Sequence, residues 1–295
     1  MWPAKRILMI KPAHFGYNEE TAQTNSFQQM EATNNGTQAI DEFNGMAHLL
    51  TAHGIDVLIA NDTALPIKPD AVFPNNWFST HPDGTCILYP MLHHNRRIER
   101  RKDIIAMITK QPEKIIDLSE LEQQDIFLEG TGSLVIDHDH AIAYAALSPR
   151  TSSAALNIFE KKTGIKVIPF DAFDHVGKPI YHTNVVMALS PHTAVICLEA
   201  IDAAYRHLIT DMFSQTNKQV IEISRYQMEH FAGNMLCLKN SIGKVFFILS
   251  QTAFNSLNAH QINALQVHHE LLPVSISHIE KIGGGSARCM MAELF

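Results

Sequence analysis

Charge is sparse in this 295-residue chain, and positive charge is the scarcer sign. Charged residues make up 18%, with 23 Lys and Arg against 30 Asp and Glu, giving a net charge of −7. A nucleic-acid partner is not expected, because neutralising phosphates requires a basic face. The one basic run, Arg96, Arg97, Arg100, Arg101 and Lys102, falls at a predicted helix start and reads as a solvated face. Long apolar runs are missing too. Ile7-Leu8-Met9-Ile10 is too short for a secretory signal, and no stretch approaches the roughly 20 residues of a membrane span. A soluble, cytoplasmic protein with no membrane partner is the expectation. The four cysteines, Cys86, Cys197, Cys237 and Cys289, show no CxxC spacing, and a reducing compartment would keep them as thiols. Three of them sit in apolar strand patterns and read as buried structural thiols, with Cys289 the exception. There is no Ser/Gly linker, heptad repeat or low-complexity stretch, so residues 1–295 are expected to form a single domain. The hydrophobic fraction of 46% is enough for a large core.

What the chain does have is a period. Asn76, Glu129, His182, Asn234 and Cys289 are separated by 53, 53, 52 and 55 residues, each within an apolar stretch that reads as a strand. A repeat unit cannot bury its apolar face alone, so repeats pack together, and closing them in a ring brings equivalent positions towards one axis. A nucleophile, a proton carrier and a carboxylate would then meet in one central pocket.

Each middle repeat reads as strand, tight turn, strand, helix, strand. In the first, the strand Phe73 to Ser79 passes through Asp83-Gly84 to a second strand, then a helix from about Arg97 to Thr109 and the strand Lys114 to Leu118. The second turns at Asp137-His138-Asp139-His140, which reads as an exposed polar turn rather than a metal site. Its helix covers Ser152 to Lys162, closed by Thr163-Gly164, and its last strand is Lys166 to Phe170. In the third, Asp202 opens a helix towards Phe213 and the strand is Gln219 to Ile223; in the fourth, the helix spans about Asn258 to Glu270. The fifth unit is split. It combines the segment around Cys289 with Arg6 to Ile10, a helix Thr37 to Ala52 and a strand Ile55 to Ile59, closing the ring and removing exposed sheet edges. The expected fold is a five-bladed α/β propeller with pseudo-fivefold repeats.

Cys289 follows Gly283-Gly284-Gly285-Ser286, a loop whose glycines permit positive φ and close approach to a ligand. His182, one of 17 histidines, is selected by its in-phase place. An imidazole there could carry a proton between substrate and water. Glu129 on an apolar strand requires a cationic or hydrogen-bonding partner.

The set Leu128-Glu129-Gly130, Leu147-Ser148-Pro149-Arg150-Thr151, His182 and the Gly-rich loop with Cys289 resembles the guanidino-group-modifying enzymes of the pentein fold. The stretches Lys11-Pro12-Ala13-His14-Phe15, Asn18-Glu19-Glu20-Thr21, Asn25-Ser26-Phe27-Gln28 and Phe73-Pro74-Asn75-Asn76-Trp77 are most similar to citrulline utilisation hydrolases, and arginine dihydrolases are also similar. The resemblance implies that Cys289 is the nucleophile, that His182 protonates the departing nitrogen and activates water, and that Glu129 holds the NH groups of the substrate head. It also implies that Arg150 reads an α-carboxylate and that Asn76, Asn25 and Asn234 belong to the substrate site. Arginine deiminases carry aspartates where Asn76 and Asn184 stand here. Amides offer hydrogen bonds without charge, so a neutral ureido group fits better than a guanidinium.

The expected activity is cysteine-dependent C–N hydrolysis of the ureido or guanidino head of citrulline or an arginine-like amino acid, giving ornithine with ammonia and carbon dioxide. No metal or cofactor is expected, the partner is a small amino acid, and a homodimer is allowed. Dimethylarginine hydrolysis and amidino transfer are alternatives within the same chemistry. In another class, the alternative is a catalytically silent pentein that binds a small amino acid or a protein.

Overall fold

The apolar runs become fifteen short strands in a computed structural model that describes residues 2–30, 36–109 and 111–295. In chain order they are β1 (Arg6–Lys11), β2 (Asp56–Asn61), β3 (Phe78–Thr80), β4 (Cys86–Leu88), β5 (Ile115–Asp117), β6 (Val135–Asp137), β7 (Ile142–Ala146) and β8 (Lys166–Phe170). The remainder are β9 (Met187–Leu189), β10 (Thr193–Ile196), β11 (Gln219–Glu222), β12 (Leu236–Lys239), β13 (Val245–Ser250), β14 (Glu270–Val274) and β15 (Ala292–Leu294). They form five three-stranded sheets, ordered β15-β1-β2, β3-β4-β5, β6-β7-β8, β9-β10-β11 and β12-β13-β14.

Every sheet repeats one pattern. Its first pair is antiparallel, joined by a short turn in the four unsplit sheets; its second is parallel, and a parallel neighbour needs a long crossover. Helices supply that crossover. In the β7-to-β8 crossing, Ser152 accepts a hydrogen bond from the Ala155 N–H, and Gly164 at φ +71° ends the helix Ser153–Thr163. The fifth sheet is split as expected. Arg6 stands opposite Leu294 on one side and Asp56 on the other, so the two ends of the chain complete one blade. These fivefold α/β blades are the expected pentein propeller.

Several boundaries differ from expectation. The helix expected from Arg97 to Thr109 is two pieces, His94–Arg97 and Lys102–Ile108, because Arg96 and Arg100 turn inward to buried partners between them. The helix expected to reach Glu270 ends at Gln266, and Glu270 begins β14. Joining the chain ends does not remove sheet edges, since the five sheets do not bond into one continuous barrel.

A larger correction concerns the five periodic residues. None lies in a strand. Each sits in or beside a short helical turn just before the innermost strand of its sheet: Asn76 in Pro74–Asn76, Glu129 before Gly130–Ser133, His182 before Thr183–Val186, Asn234 in the turn before β12, and Cys289 in Ala287–Met290. Backbone crowding near the axis accounts for the turns. A Cβ on Gly130 would lie 2.4 Å from the Asn75 carbonyl oxygen, and one on Gly233 would lie 2.2 Å from that of Val185, so only glycine admits such contact.

The core lies between sheets and crossing helices. Phe43, Met46 and Leu50 of the helix Gly36–Ala52 are buried in one cluster with Met9 and Ile248, each large side chain contributing roughly 1.5–3 kcal/mol. Among the described residues, no helix is long and apolar enough to cross a membrane.

Candidate active site

Because each turn precedes an inner strand, the periodic side chains converge. Cys289, His182 and Asn76 line one small cavity with Asn25, Arg150, Asp70, Arg96 and Tyr181. Glu129 lies behind His182 and Arg150, and Asn234 behind Cys289.

The Cys289 thiol is almost wholly buried. Its Sγ lies 3.4 Å from Asn234 Nδ2 and 3.6 Å from Asn184 Nδ2, two amides able to donate to sulfur. Burial pushes the thiol up from its usual value, while hydrogen bonds from Ser286, Asn234 and Asn184 and the Arg288 charge pull it back in part. The other three thiols are buried as expected, and burial raises them to about 12 at Cys86, about 11 at Cys197 and well up at Cys237.

His182 Nε2 lies 2.8 Å from Glu129 Oε2. Burial lowers this imidazole to about 4, against the raising effect of Glu129, so the ring is neutral near pH 7. At Glu129, burial acts to raise the carboxyl, but the Arg150 charge, the His182 hydrogen bond and Arg96 together hold it well below the usual carboxylate range. An ionised carboxylate beside a neutral imidazole fixes the tautomer: Nε2 carries the hydrogen and donates it, leaving Nδ1 as an acceptor. Glu129 Oε1 also accepts the Leu92 N–H at 3.1 Å, and Oε2 accepts from Arg150 Nη1 at 3.3 Å. The carboxylate is thus engaged with protein groups, Arg150 among them, rather than turned to the cavity.

Arg150 is anchored at both edges of its guanidinium. It donates to Thr24 Oγ1 from Nε at 3.0 Å and from Nη2 at 2.7 Å, and to the Thr21 carbonyl, and it lies over the Tyr181 ring. Asn25 donates to the Gly284 carbonyl at 3.2 Å and accepts from the Phe27 N–H. It clamps the 18–29 segment to the Gly-rich loop. Asn234 holds the Arg288 N–H and the Asn184 carbonyl, fixing the cysteine turn.

Sequence reasoning missed two charged groups. Arg96 is not on a solvated face; it is 2% exposed and donates to both oxygens of Glu99, to the Phe73 carbonyl and, at 2.7 Å, to Asn76 Oδ1. Arg97 and Arg100 likewise pair with Glu122. The missed signal was the acid three residues after Arg96, an i,i+3 partner on one helical face. Asp70 is also buried; its Oδ2 accepts from Asn18 and Thr21, while Oδ1 has no partner among the described residues. The turn Asp137–His140 is a partial correction as well. Asp137 is fully buried against Lys218 at 2.8 Å, because it joins two blades, and only Asp139 and His140 face solvent.

Asn76 is oriented by Arg96. A guanidinium can only donate, so the atom it meets is Oδ1, and Nδ2 is the atom left over, buried with no partner among the described residues. Both Asn76 Nδ2 and His182 Nδ1 crowd Gly132, whose Cβ would lie 2.5 Å and 2.7 Å from them.

The family model described as N,N dimethylarginine dimethylhydrolase, eukaryotic, matches residues 11–295. No curated protein matches the chain. Among solved structures, the N-terminal domain of ArgZ bound to substrate, an arginine dihydrolase from the ornithine-ammonia cycle in cyanobacteria, is 16% identical with a TM-score of 0.77, covering 98% of this chain and 97% of that one. AgrE in complex with L-arginine is 18% identical with a TM-score of 0.78, over 98% of this chain and 40% of that one. DDAH from Pseudomonas aeruginosa complexed with citrulline is 15% identical with a TM-score of 0.70, over 99% of this chain and 100% of that one.

Proposed function

The chain belongs to the N,N dimethylarginine dimethylhydrolase family of pentein enzymes, and from that premise we propose that it is a cysteine-dependent C–N hydrolase whose substrate is citrulline. In this reading residues 1–295 form one catalytic domain. The observation that carries the ureido preference is the orientation of Asn76. Asn76 lines the cavity, and with Oδ1 held by Arg96 the only hydrogen-bonding capacity its amide has left is N–H. A ureido oxygen accepts such a donor, whereas a guanidinium brings only donors of its own. The unpartnered Asp70 oxygen suits an α-ammonium, and the buried guanidinium of Arg150 suits an α-carboxylate.

Cys289 attacks the ureido carbon, and the thiol proton passes to His182 Nδ1. His182 returns it to the terminal ureido nitrogen, which leaves as ammonia as its C–N bond breaks, so that the ornithine side-chain nitrogen stays on the carbon as a thiocarbamate on sulfur. Water, deprotonated by His182, then attacks the same carbon and breaks the C–S bond, and the carbamic acid yields carbon dioxide. Citrulline and one water give ornithine, ammonia and carbon dioxide. Glu129 acts through His182, holding the ring in the tautomer whose Nδ1 accepts.

Incubation with citrulline, arginine, N,N-dimethylarginine and agmatine, with products read by mass spectrometry, tests the proposal. Ornithine from citrulline at the highest kcat/KM supports it. Preferential release of dimethylamine from dimethylarginine would replace it with the activity for which the family is described. No product from any of the four, with a thiol of ordinary reactivity, would favour a silent binding protein.

A further inference from the structure

We propose that Glu280, acting through Ser286, is a positioning residue that sets the Cys289 turn. Gly283 ends the helix Ser277–Gly283, and Gly284, at φ +64°, and Gly285 connect it to Ser286 and that turn. Such a stretch has little conformational restraint of its own. From the cavity side, Asn25 and Tyr181 donate to the Gly284 carbonyl and Gln28 to that of Gly283. From the scaffold side, the tie is Glu280. Its Oε1 accepts from Ser286 Oγ at 2.6 Å and its Oε2 from Thr252 Oγ1 at 2.6 Å. Ser286 in turn begins the turn that carries the thiol, since its carbonyl accepts the Cys289 N–H at 2.9 Å.

Glu280 is 3% exposed, and a carboxyl that deep without a catalytic contact calls for an explanation. Burial pushes it up, against the hydrogen bonds of Ser250, Ser286 and Thr252. Two short contacts, one to the scaffold after β13 and one to the loop, hold Ser286 at a fixed distance from the sheet. The loop glycines cannot do this themselves. Removing the tie would let the cysteine turn shift away from Asn184 and Asn234 while the groups proposed to bind the amino acid stay in place.

This inference rests on the reading of Cys289 as nucleophile, and the test separates the two. Glu280→Ala, Ser286→Ala, the double variant and Glu280→Gln are compared for kcat and KM on citrulline, and for the pH midpoint of Cys289 alkylation by iodoacetamide. The titratable and charged groups around Cys289, namely Asp70, Arg96, Arg150, Tyr181 and His182 of the cavity and Arg288 beside the thiol, are untouched in all four. Expected are a 10- to 100-fold loss of kcat with KM within threefold in each alanine variant, a double variant no worse than the single ones, and substantial recovery in Glu280→Gln, whose amide oxygen still accepts from Ser286. The alkylation midpoint moves up in both alanine variants. If Glu280→Ala does not fold, Ser286→Ala alone decides. Unchanged kcat and alkylation midpoint in folded variants, with or without a lower Tm, would overturn the inference. The alkylation readout reports the setting of the thiol whether or not Cys289 performs chemistry. Activity in Cys289→Ser would instead defeat the nucleophile reading.

Discussion

At the scale of single residues, Cys289→Ala is expected to lower turnover of citrulline by several powers of ten while leaving the unfolding transition near that of the wild type, since it removes one sulfur atom from a nearly buried site. A residual rate above a small fraction of wild type, measured under single-turnover conditions, would exclude covalent catalysis there. Asn76→Asp replaces the unpartnered amide N–H by an acceptor, while its other oxygen keeps the Arg96 contact. The ratio of kcat/KM for arginine over that for citrulline should rise about tenfold, or roughly 1.4 kcal/mol. An unchanged ratio would show that Asn76 does not face the substrate head. The five periodic residues were legible because position in a repeat survives without knowledge of contacts. Arg96 and Asp70 were not, because what buries them is long-range. Asp70 lies 52 residues from Asn18, its closest hydrogen-bond donor. Without such contacts, four arginines close together look like a wet surface.

At the scale of elements, the crossing helices and outer strands were read nearly to the residue wherever a cap or a turn marked them, as at Ser152, Gly164 and Asp202. The inner turns were misread as strands because their residues are as apolar as strand residues. What distinguishes them is the glycine at each close approach, a three-dimensional reason. Contacts between blades were likewise invisible. Lys218, just before β11, pairs with Asp137 at the end of β6, both fully buried. Truncating one member of a buried pair strands the other charge, so Lys218→Met should destabilise the fold by about 3–5 kcal/mol. Adding Asp137→Leu should recover part of that loss. Denaturant unfolding of both variants checks this, and a single variant within 1 kcal/mol of wild type would show that the pair does not hold the blades.

For the whole molecule, the closing of one blade by both chain ends was legible from the split repeat, and the separateness of the five sheets was not, because edge pairing depends on twist and spacing that a sequence does not display. Burial of titratable groups also acts on the molecule as a whole. Burial holds His81, His93, His182 and His269 near 4 and His138 near 3. Unfolded histidines titrate at about 6.5. Between about pH 6.5 and 4 the unfolded chain takes up protons that these rings refuse in the fold, so stability falls as pH falls. Glu99, raised to about 7 by burial, and Glu280 and Glu293, also raised by burial, act oppositely: each favours the fold at low pH and loses that contribution as pH rises past its unfolded value. Five rings outnumber three carboxyls, so Tm should be lower at pH 5 than at pH 7. A flat or reversed dependence in thermal unfolding would mean that the rings are not buried neutral. Covalent catalysis on a ureido carbon is tested most directly by rapid-quench mixing of the wild-type enzyme with citrulline labelled at that carbon, followed by peptide mapping. The expected result is label on the peptide carrying Cys289, appearing before free ornithine and absent in Cys289→Ala. Ornithine formed with no label on that peptide, or label on a different residue, would contradict it.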